Sequence, residues 1–467
     1  MTRSWRIFLI TSVGVFMASL DLFIVNIAFP AISADFSGSS LSDLSWILNA
    51  YAIVFAALLV PAGRVADRIG RKRVFLAGLL TFTAASAVSA AAPSVGVLVA
   101  ARVVQAAGGA MLLPSSLGLV LPAFPASKRA IAVGAWSAVG GVAAALGPPV
   151  GGLLVGLSWR WIFLVNVPIG LVVAAIALRE LDEVREPQQE ARPDALGALM
   201  LAGGIGLLTA AIVKGPDWGW ADARIVGSFA AAALLVAAFF ARSARHPAPV
   251  IELPLLRVRA FAFGNLGAMI FFAGFGTMLL SSVLLLTEVW GYSALHAGVA
   301  LMPGPTLAAI FAAPGGRISQ KYGSRPLAIA GGLIFAAGFL VNLASIEATP
   351  NYAGAFLPGF LIGGIGVGLS ISSLPAAVTA SLPPQRFATG SAVFGMSRQV
   401  GAAIGVAVLI AILANPAPAE LFERLRDGWV FAAGTGFATA LAGLAIGPLT
   451  QTEAEPQPEG ELATVSP

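Results

Sequence analysis

The chain has no cysteine, two histidines and little charge, with Asp, Glu, Lys and Arg together making up only 10% of its 467 residues. Without cysteine there is no disulfide framework and no thiolate metal site. His246 and His296 are too few and too far apart in sequence for a metal centre, so neither a metal nor a cofactor is expected. A soluble protein of this length needs far more charge to stay dispersed. What the chain has instead is 58% hydrophobic residues and 53 glycines. Membrane helices use glycine freely, because close backbone approach supplies the packing that a hydrophobic drive between helices cannot. The formal charge of +5 would suit nucleic acid or anionic lipid. The basic residues flank apolar runs, however, so topology explains them and no nucleic-acid partner is expected.

Runs of roughly 18 to 25 apolar residues are each long enough to cross a hydrocarbon core. They recur near 7–29, 44–63, 74–92, 96–121, 131–156, 161–179, 195–213, 224–241, 261–288, 295–315, 326–345, 353–380, 389–413 and 428–449. The pattern predicts an all-α integral membrane protein of about fourteen spans with the lipid bilayer as its solvent. The basic stretch Thr2–Arg6 followed by an apolar run resembles a signal peptide. That run reaches Phe29 and lacks a small-residue cleavage site, so it reads as an uncleaved first span.

Arg and Lys gather after the even-numbered spans: Arg64, Arg68, Arg71, Lys72 and Arg73, then Lys128 and Arg129, then Arg242, Arg245, Arg257 and Arg259, then Arg317, Lys321 and Arg325. This bias predicts both termini on the cytoplasmic side of a bacterial inner membrane. The 181–194 connection fits the bias less well, since Asp182, Glu183, Glu186 and Glu190 oppose Arg185 and Arg192 there. The Pro- and Glu-rich tail over 451–467 reads as disordered.

Between the second and third runs lies the charged segment Gly63-Arg64-Val65-Ala66-Asp67-Arg68-Ile69-Gly70-Arg71-Lys72-Arg73, read as a short loop. A second copy, Gly316-Arg317-Ile318-Ser319-Gln320-Lys321-Tyr322-Gly323-Ser324-Arg325, stands between the tenth and eleventh runs. A short connection repeated at the same place points to a duplicated bundle, the plan on which secondary transporters build two rocking halves. The expected organisation is a six-helix half over 1–180, an inserted helix pair with flanking loops over 181–260, a second six-helix half over 261–450 and the tail. The sequence does not assign the inserted pair a role; spacers at the bundle edge are one reading.

Five segments carry a resemblance to the major facilitator superfamily, and within it to the fourteen-helix drug:proton antiporters. They are the Gly63–Arg73 segment, Leu20–Pro30 with Asp21 and Asn26, Arg102–Ala110 with Gln105, Gly147-Pro148-Pro149-Val150-Gly151-Gly152, and Trp159–Gly170. Two departures stand out: Ala106 where that family usually has Gly, and Gln320 in the second copy where the first has Asp67.

The resemblance implies that Asp21, deep in the first span, exchanges a proton and that Arg102, at similar depth in the fourth, is its partner. Burial and the arginine's charge pull the carboxyl's protonation in opposite directions, so occupancy of a cavity can tip it. The alternative is a permanently ionised pair that pins two helices. Asp67, supported by Gly63, Arg68, Gly70 and Arg71, is implied as a latch reaching the N-terminus of the thirteenth helix near Thr389 and Gly390. The alternative there is that Asp67 screens its basic neighbours. Gly147, Pro148, Gly151 and Gly152 are expected to break helix regularity at an interface between halves.

Asn26, Gln105 and Arg398 are candidate cavity residues, with Arg398 either binding an anionic substrate or serving structure beside Gln399. Glu288 is either a second proton site or an interfacial residue at the end of the ninth span. Phe271, Phe272 and Phe275, with Met269 and Met278, face either a greasy cavity or lipid.

The expected function is proton-coupled export of amphipathic or hydrophobic small molecules, drugs and antibiotics among them, by a monomer that alternates access. Its partners are the small-molecule substrate and protons. A dedicated exporter of one natural product on the same fold is the alternative. A membrane-embedded enzyme or a non-transporting receptor fits less well, because the spans hold one buried acid and no catalytic constellation.

Overall fold

The computed structural model describes residues 2–125, 128–185, 192–382, 386–417 and 419–447, with backbone alone at 130, 387 and 388. The 451–467 tail and the acids Glu186 and Glu190 lie outside the described residues. Among the described residues there is no strand, and fourteen helices are long and apolar enough to span a membrane. They are α1 (Arg3–Asp35), α2 (Leu41–Ile69), α3 (Arg71–Ala90), α4 (Val95–Ala123), α5 (Ile131–Leu157), α6 (Trp161–Glu180), α7 (Ala195–Trp218), α8 (Ala223–Ser243), α9 (Arg259–Val289), α10 (Ala294–Tyr322), α11 (Ser324–Ser345), α12 (Tyr352–Ala380), α13 (Thr389–Leu413) and α14 (Leu421–Ala445). Fourteen crossings return the chain to the end of the bundle at which it starts.

The charged segment expected to be a loop is helix almost throughout. α2 runs to Ile69 and α3 begins at Arg71, leaving Gly70 alone as the link at φ 123°. The second copy repeats the device, with Gly323 at φ 84° between α10 and α11. Only glycine adopts such a φ without strain, so one residue reverses the chain where a longer loop would otherwise be needed. The register of the repeat continues inward. Gly78 on α3 lies against the carbonyl of Gly108 on α4, and its counterpart Gly331 on α11 lies against the carbonyl of Gly366 on α12.

Helices α1 to α6 pack among themselves, and so do α9 to α14. The two groups meet chiefly where α5 crosses the start of α10 and where α2 lies along α13. The inserted pair divides its labour. α8 leans on α7, and only 17% of its most apolar stretch is buried. α7, in contrast, packs against both α2 and α13, so it covers the second seam rather than acting as a spacer.

Polar contacts fasten α7 into that seam at one end and to α8 at the other. Away from the termini, Lys214 Nζ lies 2.8 Å from Asp43 Oδ1 and donates to Ser42 Oγ at 2.8 Å. Ser42 Oγ donates to Asp217 Oδ2 at 2.8 Å, and Asn415 Nδ2 reaches Asp217 Oδ1 at 3.4 Å. At the termini end, Asp194 caps α7 and accepts from Arg242 Nε at 2.6 Å. Glu252 there lies 3.9 Å from Arg64 and 3.4 Å from Arg386.

The acidic 181–194 connection is explained by its contacts. Asp182 pairs with Arg3, Glu180 with Arg6 at 3.0 Å, and Glu183 with Arg73 at 3.7 Å, so these acids neutralise basic residues at the same end of the bundle. The cations at the opposite end are matched too. Arg160 pairs with Asp35 at 2.9 Å and Arg224 with Asp222 at 3.0 Å.

Candidate functional site

Within the first group of helices, five spans converge on one polar cluster. Asp21 on α1 and Arg102 on α4 are a hydrogen-bonded ion pair, with 0% and 1% of their side chains exposed. Three residues on, one turn of helix brings Gln105 to the same face as Arg102. Gln105 Oε1 accepts from Arg102 Nη1 at 2.7 Å, and its Nε2 donates to Asp21 Oδ1 at 2.9 Å. The same amide donates to Ser86 Oγ on α3 at 2.9 Å. Arg102 Nε donates to the Ile47 carbonyl of α2 at 3.0 Å. The guanidinium lies 4.1 Å from the ring centroid of Tyr51, also on α2, and 5.7 Å from that of Phe163 on α6.

Each oxygen of Asp21 therefore has a donor, which is the condition for holding a carboxylate in a dry interior. The sequence pointed to Asp21 and Arg102 and to Gln105 nearby. It missed Tyr51 and Ser86, which carry no motif. Gln105 is fully buried inside this cluster rather than free on a cavity wall. Asn26 stands apart, bonded back to the Leu22 carbonyl of its own helix at 2.8 Å.

The Gly-Pro-Pro segment does not break α5, which runs as one helix through Pro148 and Pro149. Its small residues instead form two faces. Gly147 and Gly151 pack inside their own group, where an added Cβ would lie 2.4 Å from Phe23 Cβ and 3.1 Å from Ile24 Cα of α1. Gly147 and Gly151 thus lie off the interface expected for them. Pro148 and Gly152 make that interface: a Cβ on Gly152 would lie 2.4 Å from the Ala294 carbonyl oxygen, and one on Gly298 would lie 2.2 Å from that of Pro148. Contact between α5 and α10 is concentrated at the Ala294–Ala300 end. Nearer the termini the two helices are open, with Ile131 63% and Ile310 59% exposed and nothing close to Gly134 or Gly316.

Around Gly70, Asp67 Oδ1 accepts from Arg71 Nε at 2.8 Å, and Arg71 also donates to the Gly118 carbonyl at 2.9 Å. Gly63 packs on Pro114, while Arg68 is exposed. A side chain at Gly70 would overlap the Glu183 carboxylate, which caps the start of α3 by accepting from Lys72 N at 3.0 Å. Arg64 and its partner Glu252, neither of them among the expected site residues, complete this charged end.

In the second group the aromatic residues turn inward. Phe271, Phe272 and Met278 are buried, and Phe271 lies 5.0 Å from Phe335 on α11, so they face protein rather than lipid. Arg398 on α13 is half-buried, with its Cζ 5.7 Å from the ring centroid of Phe272. Gly401 and Gly405, further along the same helix, press against the backbone of α9 at Met269 and Ala273. Glu288 is exposed near the end of α9, and His296 stacks on Tyr292 at 3.9 Å. Among the described residues no group of three His, Asp or Glu side chains is placed to hold a metal.

A family model described as Major Facilitator Superfamily matches residues 11–406 and again residues 266–466. The chain belongs to the Major Facilitator Superfamily. It is 32% identical over 415 residues to the tetracenomycin C resistance and export protein of Streptomyces glaucescens, covering 88% of this chain and 76% of that one. It is 36% identical over 427 residues to the probable actinorhodin transporter of Streptomyces coelicolor, covering 88% and 73%. The multidrug resistance protein Stp of Mycobacterium tuberculosis is 32% identical over 419 residues, covering 89% and 77%.

Among solved structures, the fold is shared with a bacterial homologue of the human lysosomal transporter Spinster. The TM-score is 0.64 at 18% identity, over 96% of this chain and 98% of that one. It is shared too with the nucleoside transporter NupG, with a TM-score of 0.67 at 12% identity over 96% and 100%. The protein is thus a multi-pass membrane protein of the Major Facilitator Superfamily, related to antibiotic-export and resistance transporters.

Proposed function

We propose that this protein is a proton-driven exporter of hydrophobic or amphipathic small molecules, of the drug and antibiotic class, in a bacterial inner membrane with both termini cytoplasmic. The observation that carries the reading is the Asp21–Arg102–Gln105 cluster, a fully buried carboxylate with both oxygens engaged in the middle of a transporter bundle. Protonation of Asp21 removes the charge that holds Arg102, freeing α1 to shift against α4. Deprotonation remakes the pair.

A proton taken from the outside and released inside then alternates with substrate moving outward. Chain segments 1–180 and 261–450 act as the rocking halves, with 181–260 bridging them, and one chain supplies the whole site. The α5–α10 contact closes the end away from the termini and opens toward the termini, which supports an inward-facing state, although the α2–α13 seam stays tied at that end through Glu252. Gly63, Asp67, Arg68, Gly70 and Arg71 form the latch that closes that end in the opposite state, with Asp67 turned toward the start of α13.

The test is uptake driven by a pH gradient into inside-out vesicles, using a fluorescent dye and a panel of antibiotics. Wild type is expected to accumulate substrate only with the gradient, and Asp21→Asn to abolish that accumulation. Gradient-driven uptake that survives in Asp21→Asn refutes the coupling role. The relatives named for single compounds favour a second reading, an exporter dedicated to one natural product, which predicts uptake of one member of the panel rather than many.

A further inference from the structure

Two arginines lie well inside spans, and their surroundings differ. Arg102 has a carboxylate, an amide and a backbone carbonyl. Arg398, among the described residues, has no ion pair and no hydrogen bond, only the Phe272 ring. A ring face at 5.7 Å is a weak partner beside a carboxylate, which takes two parallel N–H bonds from a guanidinium. A bare arginine turned to hydrocarbon is strongly disfavoured, so the partly buried Arg398 belongs to the interior of the bundle rather than to its lipid face.

Asp21 cannot supply the missing charge, since its two oxygens are already occupied. Beside Arg398, the buried Gln399 has an Nε2 with no hydrogen-bond partner. Around Phe272 stand Phe271 at 5.4 Å and Phe275 at 5.6 Å, with Phe275 only half-buried. The second group of helices thus offers an unpaired cation against an aromatic wall.

We propose that Arg398, backed by Phe272 and Phe275, is the substrate's anchoring subsite, and that the exported molecules are apolar, ring-bearing organic anions held through a carboxylate or phenolate. The inference deepens the exporter reading and rests on it for the direction of transport. Binding to this subsite needs no proton gradient. It accounts for an unpaired cation in a bundle whose mid-span carboxylate, Asp21, is already paired. A cationic dye, the usual multidrug probe, is a poor ligand for such a site.

The experiment uses the full chain in detergent and three probes sharing one ring system: pyrenebutyrate, its neutral amide and a pyrenyl quaternary ammonium. Fluorescence titration of wild type is expected to give saturable binding of pyrenebutyrate at least about tenfold tighter than of the amide, with the cation weakest. Arg398→Gln should erase that preference while leaving the amide's affinity unchanged, and Arg398→Lys should keep most of it. A preference that persists in Arg398→Gln, tighter binding of the cation, or no saturable binding of pyrenebutyrate overturns the proposal.

A measurement on wild type guards against a variant that does not fold. Phenylglyoxal modification of Arg398, followed by mass spectrometry, should be slowed by pyrenebutyrate and not by the amide; equal rates overturn the proposal as well. Because these readouts are made at equilibrium, they stand or fall separately from the effect of Asp21→Asn on vesicle uptake.

Discussion

The two six-helix groups share a backbone plan and differ in what they place at their centres. The first group closes a carboxylate, a guanidinium and an amide into one satisfied cluster, with Tyr51 and Ser86 around it. The second places a lone guanidinium beside phenylalanine rings. The framework repeats, seen in the paired glycines at 70 and 323 and at 78 and 331, while the chemistry at the two centres differs. A satisfied ion pair suits a switch that has two defined states. An unsatisfied cation suits a site that waits for a charge from outside the chain.

The sharpest way to break this contrast is to remove each arginine in turn. Arg102→Gln strands the Asp21 carboxylate and is expected to destabilise the protein by about 3–5 kcal/mol. Thermal unfolding in detergent measures it, and adding Asp21→Asn should restore more than half of the loss. Equal instability in the single and double variants would show that the stranded carboxylate is not what costs the stability.

Next in size are the glycine contacts. A methyl on Gly405 would meet the Ala273 carbonyl oxygen at 1.9 Å, whereas one on Gly151 would meet Ile24 Cα at 3.1 Å. Gly405→Ala should therefore cost about 1–3 kcal/mol and Gly151→Ala clearly less. The reverse order would mean that α9 and α13 part more easily than α1 and α5. Smallest is Arg398→Gln, expected to stay within about 1 kcal/mol of wild type, because no partner is left behind when it goes. A loss as large as that of Arg102→Gln would reveal a structural partner for Arg398 and erase the contrast.

Much of this was readable along the chain. Apolar runs longer than a soluble helix needs marked the fourteen spans, and the family resemblance singled out Asp21 and Arg102 at similar depth within theirs. What could not be read depends on contacts between distant segments. The duplicated charged stretch looked like a loop because charge normally marks loops; the glycines at 70 and 323 let the helices continue to within one residue of each other.

Pro148 and Pro149 looked like a break, yet α5 passes through both, with Pro148 and Gly152 turned to α10 and Gly147 and Gly151 to α1. Nothing local marked α7 as the cover of a seam, or Asp194 and Glu252 as partners for Arg242 and Arg64. Those acids sit in connections whose polar composition is ordinary, and only the packed bundle says which cation each one meets.

The one-residue joints at Gly70 and Gly323 have a mechanical meaning. A long connection absorbs motion, so two helices joined by one can slide past each other without either feeling it. A joint of a single residue stores no slack: tilting α2 drags the first turn of α3 with it, and α10 does the same to α11. The ends of each pair are then coupled at a single point, so displacing one helix at the joint displaces its neighbour. That is how a small displacement beside a buried ion pair can be felt across the thickness of a bilayer.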